Sequence, residues 1–184
     1  MEDEAYLVKQ ARDNVHAFAT LYDRYVERIY AYALRETADV ATAEDIVSAT
    51  FEKALKNLPS YEWRGTSFAA WLYKIARNEL RMYWRKQKWI VPLVGLFRSN
   101  EKSIEHKVQA SNDSDNIQAA LARLSTSDQE VLRLSYYESL SHAEIGEVLN
   151  CSPNAVAVRL HRALKRLRVQ LDRIAPEVVF DVEL

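Results

Sequence analysis

Ser141 to Arg168, SHAEIGEVLNCSPNAVAVRLHRALKRLR, holds two complete helix starts in one short run. Ser141-His-Ala-Glu144 is a capping box, in which serine and glutamate each satisfy the other's free backbone N–H. Leu140 and Ile145 flank it at the spacing of a hydrophobic staple. Gly146 is small where a second helix can approach closely. Asn150-Cys151 turn the chain, Ser152 caps again, and Pro153 takes the first helical position, where its missing N–H costs nothing. Val156, Leu160, Ala163, Leu164, Leu167 and Leu171 then recur at steps of three and four and define a buried face. Between 159 and 173 six Lys or Arg stand against Asp172 alone, a local charge of +5. Two short helices, a tight turn and a basic second helix make a helix-turn-helix. Its second helix would lead into a major groove with Asn154, Ala155 and Val158, while Arg159, Arg162 and Lys165 meet phosphates. A plain helical hairpin is the alternative, and the capping box, staple, small residue, N1 proline and basic second helix together favour DNA.

Upstream, Asp113 or Ser114 starts a helical block with Ile117, Leu121 and Leu124 on one side. Ser125 to Ser127 break it, and Thr126 with Gln129, or Ser127 with Glu130, can form a capping box for the next helix, which runs through Tyr137. Before this block the pattern fails. Val91 to Asp115 contains Pro92, Gly95 and a Ser/Asn/Asp cluster, so the stretch reads as a flexible linker with one marginal turn near Ile104 to Val108. The organisation expected is therefore two small helical domains, 1–91 and 114–175, a linker at 92–113 and a tail at 176–184 that docks or stays loose.

Across the linker a second basic helix is expected. Thr66 to Lys88, TSFAAWLYKIARNELRMYWRKQK, places Lys74, Arg77, Arg81, Arg85 and Lys88 on one stripe, with Trp71 and Trp84 at its borders. From 71 to 88 six Lys or Arg face one acid, Glu79, again +5. A basic stripe interleaved with rings can hold a phosphate backbone while bases stack, and alone it is equally a solvated face. Leu58 to Gly65, LPSYEWRG, forms a loop before it. Its aromatics Tyr61 and Trp63 either fold back as a lid or present a stacking surface. Thr66 or Ser67 caps the helix. Residues 4–36 read as one helix with a core stripe from Val15 to Ala33 that includes Phe18, Leu21, Tyr22 and Tyr25. Residues 41–58 read as another, with Val47, Phe51 and Leu55 inward and Glu44, Asp45, Ser48 and Glu52 outward. The four prolines fall where helical patterns pause or stop, and none interrupts one.

Composition agrees with an all-α class. The 184 residues are 48% hydrophobic and contain three Gly and four Pro. No apolar run approaches the ~20 residues of a membrane span, and the acidic start MEDEAYLVKQ lacks the zones of a signal peptide. A single Cys, Cys151, excludes an intrachain disulfide and reads as a semi-buried core residue, which fits a cytoplasmic protein. The net charge of −1 hides an acidic start, five bases against ten acids over residues 1–45, and two basic helices downstream. Two separated basic helices suggest two contacts with one polyanion.

AEDIVSATFEKAL at 43–55, FAAWLYKIARNELRMYWRK at 68–86 and the 141–168 run lie in this order around a polar linker. Together they resemble the extracytoplasmic-function, or group IV, sigma factors of bacterial RNA polymerase, over roughly residues 15 to 172. The resemblance implies a region 2-like bundle and a region 4-like helix-turn-helix. It implies that Asp45, Ser48, Phe51 and Glu52 dock on the clamp helices of the polymerase's largest subunit. It implies that Tyr61, Trp63, Arg64 and Trp71 capture a flipped non-template base of the −10 element, while Lys74, Arg77, Asn78, Arg81 and Arg85 hold DNA around the melted segment. Ser152, Asn154, Ala155, Val158, Arg159, Arg162 and Lys165 would read the −35 element, with this unit resting on the flap of the second-largest subunit. The linker would thread toward the active centre. An anti-sigma factor, free or membrane-anchored, is implied as a partner, and a stress response as the setting. No cofactor, metal or catalytic residue is implied. The chain departs from the family pattern where Ser48 replaces a common glutamine, where Ser125 replaces a proline, and where Ala155, Ala157 and Val158 replace Thr, Lys and Ser. The last three leave fewer donors for −35 readout.

Three other classes compete. A dimeric helix-turn-helix regulator lacks a reason for the second basic site. An enzyme lacks one for the scattered His16, His106, His142 and His161, with no HExxH among them. A sigma mimic that titrates an anti-sigma factor shares every motif.

Overall fold

The computed structural model describes the backbone of residues 2–63, 65–94 and 112–176, and the side chains of 3–63, 65–87 and 115–176. Its elements in order are α1 (Glu2–Ala11), α2 (Val15–Thr37), α3 (Val40–Asn57), a 3₁₀ turn (Leu58–Ser60), α4 (Phe68–Val94), α5 (Asn112–Ala122), α6 (Thr126–Tyr136), α7 (His142–Leu149) and α8 (Pro153–Ile174). No strand occurs among the described residues. The chain divides into two compact units, one holding α1 to α4 and the other α5, α6, α8 and the start of α7, while Glu147–Asn150 groups with the first.

In the first unit α2 packs against α1, α3 and α4, and α3 against α4. The core is unusually aromatic. Leu21, Ile29, Phe68, Leu72 and Tyr73 are fully buried, each such side chain contributing about 1.5–3 kcal/mol. Tyr32 meets Tyr73 edge-on at 5.2 Å, and Tyr25 lies 6.0 Å from Phe68. The single helix expected over 4–36 breaks at Arg12–Asn14. The Asn14 side chain accepts from the backbone N–H of His16 at 2.9 Å and of Ala17 at 3.4 Å, so it starts a new helix rather than continuing the old one. α1 folds back through buried Val8 and Ala11. It is tied at its start by the Tyr25 hydroxyl, which donates to the Glu4 carboxylate. Burial, and then that carboxylate, push the Tyr25 phenol well above its ordinary range. Asp39 caps α3 by accepting from Thr42 N–H at 2.7 Å, and hydrogen bonding from the Thr42 side chain, and then from that N–H, holds its carboxyl below the usual value.

The long basic helix extends further than the sequence suggests. α4 continues through Pro92 to Val94, so Val91–Val94, read as linker, is helical. A proline in the last turn removes one hydrogen bond to the turn before it and leaves little helix beyond to disrupt. The start of α5 likewise claims Asn112–Asp115. The remainder of the expected linker, including Ile104 to Val108, and residues 177–184 of the tail lie outside the described residues.

In the second unit α8 packs on α5 and α6. Val156, Ala163, Leu164, Leu167 and Leu171 are buried. The Ser141–Glu144 box closes as expected, Ser141 N–H donating to Glu144 at 2.8 Å and Glu144 N–H to Ser141 Oγ at 3.3 Å. Leu140 and Ile145 are both buried as its staple. The cap of α6 differs from both options read in the sequence. Ser125 is the N-cap, accepting from Asp128 N–H at 3.2 Å and donating to the Asp128 carboxylate at 2.8 Å. Ser125 and Asp128 therefore form the pair that Thr126–Gln129 or Ser127–Glu130 would have formed. With few glycines available, Ala38, Ser139 and Asn150 adopt left-handed backbone to close their turns, at φ 52°, 54° and 55°.

Candidate nucleic-acid and docking interfaces

α4 separates its chemistry by side. Ser67 caps it, its hydroxyl accepting from Ala70 N–H at 3.4 Å, so of Thr66 and Ser67 the second does the work. Phe68, Leu72, Tyr73, Ala76 and Leu80 are buried. Asn78, Arg81 and Arg85 are exposed, and Lys74 and Arg77 half-buried. Helical geometry puts Glu79 about 140° around from Lys74. There it is buried and accepts from Lys53 Nζ of α3 at 2.6 Å. The one acid of the run is thus removed from the basic stripe and neutralised from behind. Trp84 is 42% exposed beside the stripe, its ring edge-on to Tyr83 at 5.0 Å. The Tyr83 hydroxyl accepts from Gln87 Nε2 at 3.0 Å. The side chains of Lys88 and Trp89 lie outside the described residues.

The preceding loop splits its two rings. Tyr61 is buried, 4.5 Å from Trp71 and edge-on to Phe68 at 5.8 Å. Of the two roles open to it, its ring takes the inward one, because two large rings of α4 offer it more apolar contact than water does. Its carbonyl accepts from the Arg12 guanidinium, and its N–H donates to Leu58 O at 3.1 Å. Trp63 and Trp71 are half-buried, and Gly65 is exposed at φ 79°, a left-handed backbone that a side chain would strain. Arg64 lies outside the described residues.

On the other side of this unit, α2 and α3 form a groove of about 600 Å³. Phe51, read as inward from its spacing although the resemblance gives it a docking role with Asp45, Ser48 and Glu52, is buried on its floor, 4.6 Å from the Tyr22 ring. The reason is its spacing from Val47, which keeps it on the core side of α3. Asp45, Ser48 and Glu52 are exposed as expected. Tyr22 and Leu55, assigned to core stripes in the sequence, are 39% and 47% exposed and form the groove's walls, with Glu27, Glu44 and Glu52 around them. Nothing in the apolar spacing distinguishes a wall from a core position. Only the missing neighbour does.

In the second unit Ser152 Oγ accepts from Ala155 N–H at 3.2 Å, so Ser152 is committed to the cap. Asn154, Val158, Arg159, Arg162 and Lys165 are exposed, and Ala155 is half-buried. Cys151 is half-buried, and its N–H donates to Gly146 O at 2.9 Å. A Cβ on Gly146 would lie 2.7 Å from Cys151 O, so glycine is required for the turn to close. From α8, Arg166 Nη1 reaches both Asp128 oxygens at 2.8 Å. The Asp128 cap residue thus also ties α8 to α6.

Among the described residues no group of three or more His, Cys, Asp or Glu could hold a metal ion, and no helix is long and apolar enough to cross a membrane.

Comparison with known proteins connects the two units. The Sigma-70 region 2 family matches residues 21–90, and the Sigma-70, region 4 family matches 114–167. RNA polymerase sigma factor CarQ of Myxococcus xanthus is 33% identical over 88% of this chain and 93% of its own length. ECF RNA polymerase sigma factor SigL of Mycobacterium tuberculosis is 33% identical over 84% of this chain and 88% of its own. ECF RNA polymerase sigma factor BldN of Streptomyces coelicolor is 31% identical over 88% of this chain, and the match spans 63% of that protein. Among solved structures, CnrH in complex with the cytosolic domain of CnrY superposes with a TM-score of 0.66 at 27% identity, covering 92% of this chain and 97% of that one. The sigma factor RpoE in complex with the anti-sigma factor NepR from Bartonella quintana also gives 0.66, at 26% identity over 84% of this chain and 96% of its own.

Proposed function

This chain belongs to the extracytoplasmic-function sigma factors of RNA polymerase, and from that premise we propose how its residues divide the work of promoter recognition. A sigma factor binds core polymerase, directs it to specific promoters and helps melt the −10 element, with no catalysis of its own. The chain would act in the cytoplasm, where polymerase and DNA meet.

The α2–α3 groove is the docking surface for the clamp helices. Tyr22 and Leu55 offer apolar contact, Asp45 and Glu52 offer charge, and Phe51 shapes the floor from below. The α4 stripe holds the non-template strand through Lys74, Arg77, Asn78, Arg81 and Arg85. Trp63, Trp71 and Trp84 supply ring faces for unpaired bases, and Tyr61 supports Trp71 from behind. Flipping a base costs a few kcal/mol, and stacking on a ring returns ~1–3 kcal/mol per base. α8 reads the −35 element in duplex form, Asn154 and Val158 toward base edges and Arg159, Arg162 and Lys165 toward phosphates, with the second unit resting on the flap. The two DNA contacts reinforce each other only while polymerase holds their spacing. The relatives seen bound to CnrY and NepR motivate a partner of the same kind here, an anti-sigma factor that covers the α2–α3 groove.

The observation that carries this reading is the sorting of α4. Its single acid is buried and paired with Lys53, while cations and an indole ring face water on the other side. The test is reconstitution with core polymerase on a promoter library. The expected result is initiation from a discrete promoter class, with opening reported by a fluorescent base in the −10 segment. Core binding without initiation on any template would instead identify a mimic.

A further inference from the structure

The helix that braces the loop lies outside the region 2 match, which begins at residue 21. α1 is anchored at three points. Glu4 accepts from the Tyr25 hydroxyl, and Val8 and Ala11 are buried against the unit. The chain then turns at Asp13 and Asn14, both of whose N–H groups donate to Gln10 O, at 3.3 and 3.1 Å. This turn presents Arg12, whose guanidinium donates to the carbonyl of Tyr61. Tyr61 is the residue at which the 3₁₀ turn ends and the loop toward α4 begins.

Two backbone points bound the loop that runs from Tyr61 to Ser67. Tyr61 N–H is held by Leu58 O, and Ser67 is held by capping α4. Gly65 between them sits in left-handed backbone with open space around it. The Arg12 bond holds the Tyr61 carbonyl, the point from which the chain leaves toward Trp63. A guanidinium suits the task because its planar fork holds a carbonyl in one orientation.

We propose that Arg12 is a positioning residue for base capture: it acts through the Tyr61 carbonyl to fix the loop that receives the flipped non-template base. The inference rests on the strand-opening role assigned above to this loop. A charged hydrogen bond of this kind, made where water competes, corresponds to about a five- to tenfold effect on the process it supports.

The test uses the full chain assembled with core polymerase. The probes are single-stranded non-template −10 oligonucleotides carrying each of the four bases at the captured position. Arg12→Met keeps the stem and removes the donor, and Arg12→Lys keeps a donor and the charge. The expected result is a five- to tenfold loss of discrimination between best and worst base in Arg12→Met. Core affinity and the dependence of binding on salt are unchanged, and Arg12→Lys recovers part of the loss. Unchanged discrimination in Arg12→Met overturns the inference. A salt slope reduced by about 0.7 with discrimination intact also overturns it, since Arg12 would then be a direct phosphate contact. Trp63→Ala separates the two levels of argument. If it abolishes discrimination while Arg12→Met does not, only the role of Arg12 fails. If neither variant changes discrimination, the assignment of the loop fails as well. Should Arg12→Met unfold the unit, Arg12→Ala, which also lacks the donor, gives the same readout.

Discussion

α4 and α8 carry the same local charge of +5 and the same kind of serine cap, yet they are built on different supports. α4 stands on rings. Phe68, Tyr73 and the Tyr61–Trp71 contact lie beneath or beside its stripe, and Trp84 emerges next to its arginines. α8 stands on aliphatic residues, with Val156, Leu164, Leu167 and Leu171 buried, and its leading end carries small side chains, Asn154, Ala155 and Val158. The difference teaches that charge alone does not select the form of the nucleic acid. Rings beside cations suit a strand whose bases are unpaired. A ring-free helix end with short side chains suits the floor of a duplex groove.

Substitutions can break this comparison in order of size. Phe68→Ala removes a fully buried ring shared by Tyr25, Tyr61 and Trp71. It should cost about 3–5 kcal/mol and melt the first unit in a thermal scan while leaving −35 duplex binding by the second unit in place. Gly146→Ala should cost about 1–3 kcal/mol through overpacking against the Cys151 carbonyl. Denaturant titration should show the loss in the second unit, and −35 affinity should fall while binding of single-stranded −10 oligonucleotides holds. Trp84→Ala removes an exposed ring, so stability should change little. Affinity for single-stranded −10 DNA should drop by about 1–3 kcal/mol in equilibrium titration, with duplex binding untouched. The smallest effect is the most diagnostic. Removing one stripe cation should lower the salt slope of binding by about 0.7 if it faces a single strand and by about 0.9 if it faces duplex. Arg81→Ala and Arg162→Ala should fall on different sides of that divide, and equal slopes would erase the distinction between the helices.

Much of the fold is visible in short-range patterns. Ser141–Glu144, Ser152–Pro153 and the spacing of Val156 to Leu171 depend on neighbours three or four residues away, and the structure keeps each of them. Each misreading has its own cause. Asn14 breaks a helix that apolar periodicity alone runs through, because the stripe of α2 is so regular that it masks a cap inside it. Ser125 takes the cap because its side chain also orients Asp128, whose second partner, Arg166, lies far along the chain. Pro92 sits in a helix because its position relative to the helix end, not its presence, decides its cost.

The sequence by itself determined the class, the helix-turn-helix, the two basic helices and the family, since all of these rest on spacing and on residue type. Only the tertiary structure decided which aromatic and charged residues are available. It placed Tyr61 inward and left Tyr22 and Leu55 at a groove. It turned Glu79 to Lys53 and brought Arg12 to the carbonyl of Tyr61. Exposure is a property of what packs alongside, and the neighbours that confer it are distant in the chain, so no local pattern encodes it.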